Sequence, residues 1–179
     1  MFHIPDSKSS FYSFLQKIDQ DTVAAMQATP CIFCNDQLDR ADYLRKPRGV
    51  PDGIDEDFSV KYGLCCRREG CRKRTTPASV RFYGRRVFLL FFMVLSTSVS
   101  ESGCSRVAAT MGVSRQTLAN WRHFWREVFP QTALWRQKRG LLTFPPQPET
   151  LPGSLVEQLA GKLSNAESLI PALKFIAIG

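Results

Sequence analysis

The placement of cysteine constrains this chain more than any other feature. Cys31-Ile32-Phe33-Cys34 is a pair with two residues between its members, and Cys65-Cys66-Arg67-Arg68-Glu69-Gly70-Cys71 follows about 30 residues later. Two intervening residues let the backbone turn so that both sulfurs face one point. A hairpin between two such turns brings both pairs to one ion. Zinc prefers four ligands in a tetrahedron, and thiolates are its usual structural ligands. The spacing predicts a closed, structural zinc site held by Cys31, Cys34 and two cysteines of the second cluster. That second pair is Cys66 with Cys71 or Cys65 with Cys71. Cys66 is favoured by phase: Phe58, Val60, Tyr62 and Leu64 alternate with Ser59, Lys61 and Gly63 as a half-buried strand that would run on to Cys66. The competing reading is a set of free buried thiols. Cys104 reads as a small core residue.

The chain begins without a basic stretch followed by an apolar run, so no secretory signal is expected and the compartment is read as reducing cytoplasm. Thiols or metal ligands are then favoured over disulfides. The longest apolar stretch, Val87 to Leu95, is too short to span a bilayer and reads as a buried helix.

Around the cysteine unit the periodicity is helical. Phe11, Phe14, Leu15 and Ile18 mark a helix within residues 8–28, capped by Ser9 or Ser10. Asp21 opens a second short helix, and Pro30 stops it. Residues 31–84 turn to short alternating segments, with strands expected at Asp42 to Arg45, Phe58 to Leu64 and Ser79 to Tyr83 and an exposed loop at 47–57. Helices resume near Arg86 and fill 85–140. Pro145-Pro146-Gln147-Pro148 is a stiff linker, and two short helices are expected at about 154–160 and 164–176. The fold class is mainly α with a small β zinc ribbon: an N-terminal helical segment (1–30), a zinc-ribbon-like domain (31–84), a helix-turn-helix domain (85–140), then linker and C-terminal helices (141–179).

The run from Arg106 to Trp121 carries the second motif. A helix-turn-helix needs a small residue where its helices cross, supplied by Ala108, and four residues on a left-handed turn, supplied by Gly112. Val113 fills the turn and Ser114 caps the second helix. Thr117, Leu118 and Trp121 face inward, and Trp121, Phe124, Trp125 and Phe129 are core aromatics at helical spacing. A purely structural helix–glycine–helix corner gives the same pattern. On the DNA reading, Arg115, Gln116, Ala119, Asn120 and His123 form the outward face, with Arg suited to guanine and Gln or Asn to adenine. Arg122 and Arg126 would reach phosphates.

Charge coincides with these motifs. Residues 67–139 hold 15 Lys and Arg against three acids, while the whole chain carries a net charge of +8. Arg67, Arg68, Arg72, Lys73 and Arg74, with Arg81, Arg85 and Arg86 beyond, are placed for phosphate contact around the second cysteine turn.

With these features in hand, the chain resembles short bacterial zinc-ribbon plus helix-turn-helix proteins akin to the DNA-binding regions of insertion-sequence transposases. The resemblance rests on Cys31 to Cys34, Ala41 to Gly49, Cys65 to Cys71, Arg72 to Pro77, Ser79 to Phe82 and Gly112 to Trp121. It implies zinc, double-stranded DNA and a mobile-element or regulatory context in the nucleoid.

Catalysis is not expected. The carboxylates after residue 100 are Glu101, Glu127, Glu149, Glu157 and Glu167, with no Asp and no strand series to gather them around two metals. His3 and His123 are isolated, and no phosphate-cradling glycine loop is present. Tyr12, Tyr43, Tyr62 and Tyr83 are nucleophiles by type, without an evident basic pocket. Four binding roles remain: a transposase-type or accessory DNA-binding module, a transcriptional regulator, a zinc-dependent protein-interaction scaffold, or an RNA binder through the basic turn. The apolar segment Leu169 to Ile178 reads as a helix that docks a second copy or a catalytic partner, or one that packs on the core.

Overall fold

The structure is a computed structural model. It describes residues 10–45, 53–83, 89–98, 105, 109, 112–161 and 166–177. The chain is mainly helical, with small antiparallel sheets and a cysteine cluster.

Helix α1 runs unbroken over Ser10–Gln27. Its buried residues, Phe11, Tyr12, Leu15, Asp19 and Val23, fall on one stripe at intervals of three and four. The expected second helix start at Asp21 does not occur. Asp21 instead pairs with Lys17 one turn earlier, at 2.8 Å, on the exposed side. Pro30, which has no N–H to donate, follows the last turn.

The strands are shorter and more numerous than expected. β1 (Leu38–Arg40), β4 (Leu64–Cys66) and β5 (Arg74–Thr75) form one sheet in the order β1-β4-β5, and β2 (Tyr43–Leu44) pairs with β3 (Val60–Lys61). The single strand expected from Phe58 to Leu64 is not formed. Glu56–Ser59 is a 3-10 turn capped by the Asp55 carboxylate, and the chain bends between β3 and β4. Gly63 sits at that bend. A Cβ there would stand 2.9 Å from the Ala41 carbonyl oxygen, and the Asp42 carboxylate accepts the Gly63 N–H at 3.0 Å. The alternation fails as well, because Lys61, assigned to the solvent side, is buried. The strand expected at Ser79 to Tyr83 is also absent. That segment is buried irregular chain, with one bridge from Phe82 to Leu89.

Helix α2 (Leu90–Ser98) is buried from Leu90 to Ser96, as its all-round apolar sequence requires. Ser105 and Ala109 are helical, while the rest of the expected first motif helix, Ala108 and Cys104 included, lies outside the described residues, as do Arg85 and Arg86. Helix α3 (Arg115–His123) continues through a π turn at Phe124–Val128 and a 3-10 turn at Phe129–Gln131. Three short helices follow: α4 (Ala133–Lys138), α5 (Gly153–Ala160) and α6 (Ile170–Ile176), the last entered through a 3-10 turn at Ala166–Leu169.

Two buried clusters result. The larger joins the start of α1, Phe58, Val80 to Tyr83, α2, the aromatics of α3 and its continuation, and the C-terminal helices. Trp121, Phe124, Trp125 and Phe129 are all buried in it. So are Leu169, Ile170, Ala172, Leu173 and Ile176, so the apolar C-terminal segment packs on the chain's own core. The smaller cluster joins Val23 near the end of α1 to Leu38, Tyr62, Leu64, Cys31 and Cys66. One stripe of α1 therefore serves both.

Where the two clusters meet, α1 carries a buried carboxylate. Asp19 accepts from Ser79 Oγ at 2.5 Å, Val80 N at 2.8 Å and Arg81 Nε at 2.8 Å. The remaining Arg81 nitrogens donate to the carbonyls of Phe58 and Val60 at 2.6 and 2.9 Å. Arg81 is fully buried and flanked by the rings of Phe58, Tyr62 and Phe82. The placement of Arg81 among phosphate-binding residues is thus corrected: its guanidinium ties irregular backbone to α1.

Candidate metal centre and candidate nucleic-acid interface

The two cysteine turns are built alike. In the first, Asn35 N donates to Cys31 O at 2.7 Å, and Cys31 N donates to Asp36 O at 2.7 Å. In the second, Cys71 N and Arg72 N both donate to Arg68 O at 3.0 Å, and Cys66 N donates to Lys73 O at 2.9 Å. The residue after the second cysteine of each turn has positive φ: 60° at Asn35 and 44° at Arg72. Asn adopts that conformation at low cost and Arg does not, so the second turn is held against local preference by its surroundings.

These turns bring Cys31, Cys34, Cys66 and Cys71 together, with all four sulfurs within 4.8 Å of one another. Cys34 and Cys66 are 3.3 Å apart, and Cys31 and Cys71 are 4.0 Å apart. A tetrahedral ion with metal–sulfur bonds near 2.3 Å would separate its sulfurs by roughly 3.8 Å. The cluster therefore has the size and donor chemistry for one metal ion. Strand pairing decides which of the adjacent cysteines joins it. Leu64 and Cys66 face the buried side of β4, opposite Arg40 and Leu38, while Cys65 alternates outward between Asp39 and Arg74. The Cys65 thiol lies near the carbonyls of Cys66 and Arg72, at 3.7 and 3.6 Å.

Cys34 and Cys66 are shifted in opposite directions. The backbone N–H of Asp36 and neighbouring cysteine sulfurs lower Cys34 to about 7, against desolvation. Burial pushes Cys66 up to about 12, and the neighbouring sulfurs add to that rise. Four thiolates cannot be held this close without a compensating cation. A dication would stabilise all four, and its binding would displace protons.

Of the predicted phosphate contacts, Arg67, Arg68, Arg72, Lys73 and Arg74 are exposed. Arg67 is engaged by Asp39 in a two-bond pair, at 3.0 and 2.7 Å, which fixes its side chain and neutralises part of its charge. Lys73 Nζ sits 5.9 Å from the Phe33 ring centroid.

On α3, Ser114 is the N-cap, accepting from Thr117 N at 3.2 Å, and Gly112 has φ +59°. Leu118 and Trp121 turn inward and Thr117 is half-buried. Arg115, Gln116, Ala119, Asn120 and His123 form an exposed face, and Arg126 beyond is also exposed. Arg122 is half-buried and engaged by other groups. Gln116 Nε2 donates to Asn120 Oδ1 at 3.0 Å, which sets the two amides side by side along the helix. No described helix is long and apolar enough to cross a membrane.

Three features escaped the sequence reading. Ile32 and Phe33, inside the first cysteine pair, are 85% and 60% exposed. Lys61 Nζ is buried without a hydrogen-bond partner, near the Asp19–Arg81 pair, and desolvation lowers its pKa to about 8. The Asp19 pair itself left one faint trace: Asp19 stands four residues from both Leu15 and Val23, in phase with the apolar stripe.

Comparison of the chain with protein-family models, with curated proteins and with solved structures finds no match.

Proposed function

We propose that this protein is a zinc-stabilised, sequence-specific double-stranded-DNA-binding protein that acts as a binding module and not as a catalyst. Within that class we favour a transposase-type or accessory DNA-binding module of a mobile element, working on the nucleoid, over a transcriptional regulator. The observation that carries the reading is the exposed face of α3. It follows a left-handed glycine and a serine cap, and it presents Arg115, Gln116, Asn120 and His123 with no acidic residue in the helix. Arg, Gln and Asn have the donor and acceptor geometry for base edges in the major groove. An acid-free helix also avoids repelling phosphates. The exposed cations Arg68, Arg72, Lys73 and Arg74 supply sequence-independent affinity. Zinc is the metal that best suits four cysteine thiolates with no open position, and it would hold a loop-rich unit that has little core of its own.

The test is selection of a duplex site from a random library by the zinc-loaded chain, followed by titration of that site. Replacing Arg115 and Asn120 together by Ala should weaken the selected site by roughly tenfold or more, since a good side-chain-to-base pair carries about 1–3 kcal/mol. Affinity for random duplex should barely change. A library that yields no enriched site would refute sequence-specific recognition. Equal affinity of the double variant for the selected site would remove α3 from the interface.

A further inference from the structure

We infer that the exposed tip of the first cysteine turn is a second nucleic-acid contact, one that stacks an unpaired base on Phe33. The inference rests on the DNA-binding reading above and adds a contact that the α3 face does not supply.

Ile32 and Phe33 are large apolar residues at 85% and 60% exposure on a rigid tip. The turn is fixed by backbone hydrogen bonds on both sides of Cys31 and by its place in the cysteine cluster. Its shape is therefore set before any partner arrives. An open recess of about 460 Å³ runs along it, lined by residues 29–35, the proposed metal ligands Cys31 and Cys34 included. The Lys73 ammonium lies over the Phe33 ring, 5.9 Å from its centroid. Lys73 belongs to the second turn, where Arg68, Arg72 and Arg74 are also exposed and outnumber the one exposed acid of that turn, Glu69.

Charge decides the occupant. A second copy of the chain would bring the same cations to the same patch, and they would repel. A polyanion with apolar planar faces satisfies both halves of the surface: phosphates meet the cations and a base meets the ring. A base in intact duplex is already stacked on its neighbours and does not offer a face without distortion. An unpaired base, as at a frayed end, a bulge or a displaced strand, does. Phe14 and Phe144 are also exposed, at 47% and 78%, but of these three rings Phe33 is the one carried on the cysteine unit, with the Lys73 ammonium over it.

The experiment uses the full zinc-loaded chain and three DNA probes: a blunt duplex, the same duplex with a short oligo-dT tail, and that tail carrying one 2-aminopurine. The wild type should bind the tailed duplex more tightly than the blunt one, and 2-aminopurine fluorescence should change on binding. Phe33→Ala should erase most of that gain, roughly tenfold by the usual value of one aromatic–base stack, and abolish the fluorescence change. Phe33→Trp should restore both. Because Phe33 is exposed, zinc content and blunt-duplex affinity should stay at wild-type values in both variants. An equal gain from the tail in wild type and Phe33→Ala overturns the inference and leaves duplex binding standing. An equal loss on blunt and tailed probes would make Phe33 a wedge in intact duplex and overturns it too. A concentration-dependent dimer that Phe33→Ala dissociates would give the tip to a second copy. Failure of the wild type to bind any of the probes would overturn the DNA-binding reading and this inference together.

Discussion

Replacing Asp19 by Ala should be among the most damaging single substitutions in this chain. The Asp19 carboxylate is 3% exposed and accepts three hydrogen bonds, while its partner Arg81 is fully buried. Truncation strands the guanidinium with two carbonyl partners but no counter-charge. Removing one member of a buried ion pair costs about 3–5 kcal/mol, and the orphaned Val80 N–H adds on the order of 1 kcal/mol. The buried Lys61 ammonium also loses the negative charge that favours it. Against a total stability of roughly 5–15 kcal/mol, a loss of about 4–6 kcal/mol would leave the variant partly unfolded. Urea unfolding of the zinc-loaded protein, followed by tryptophan fluorescence, measures this directly. Asp19→Leu with Arg81→Met removes both charges and fills the space with apolar groups, so it should lose less than Asp19→Ala alone. If Asp19→Ala costs under about 1 kcal/mol, or if the double variant is the worse of the two, the buried pair does not join α1 to the segment after residue 78 in the way described.

Further consequences follow from the same geometry. Cys66→Ser should abolish stoichiometric metal binding, whereas Cys65→Ser should keep one ion per chain; metal analysis after gel filtration separates them, and the reverse result would mean the alternation along β4 is misread. Burial lowers the Lys61 amine to about 8 from an ordinary 10.5. Below pH 8 both folded and unfolded chains are protonated there, and the cost of burying the charge is felt in full. Between about 8 and 10.5 the unfolded chain holds the extra proton, so stability should rise with pH by up to about 3 kcal/mol from this group. Lys61→Met should be more stable than wild type at pH 7, with the gap closing as pH rises through that window; parallel stability curves would refute it. Ser114→Ala, which removes the cap of α3, should cost about 1 kcal/mol in urea unfolding, and a change below a few tenths would show that the cap adds little.

Much of this was legible locally. The cysteine spacings, the capping serine before Arg115, the glycine at 112 and the all-apolar run through Leu90 to Leu95 each dictate structure within a few residues, and the chain folds accordingly at all four places. The phase argument for Cys66 holds over Leu64 to Cys66, where β4 is a real strand. Upstream it fails, because Gly63 and the close Ala41 carbonyl break the strand and bury Lys61. The missing strand at Ser79 to Tyr83 fails for a related reason. The Val80 N–H, the Ser79 hydroxyl and the Arg81 Nε all go to Asp19, some 60 residues away, and no local pattern reports a partner at that distance. Ile32 and Phe33 were hidden differently: inside a cysteine pair, apolar residues read as core until the turn shows which way they point.

The central claim is tested most directly by titrating a duplex-DNA library with zinc-loaded protein at two salt concentrations, then repeating after chelation. Binding should weaken steeply with salt, as phosphate contacts by Arg68, Arg72, Lys73 and Arg74 require, and should be lost when the metal is removed. No binding even at about 50 mM salt, where phosphate contacts are strongest, would contradict it and leave the cysteine-stabilised surface to a protein partner.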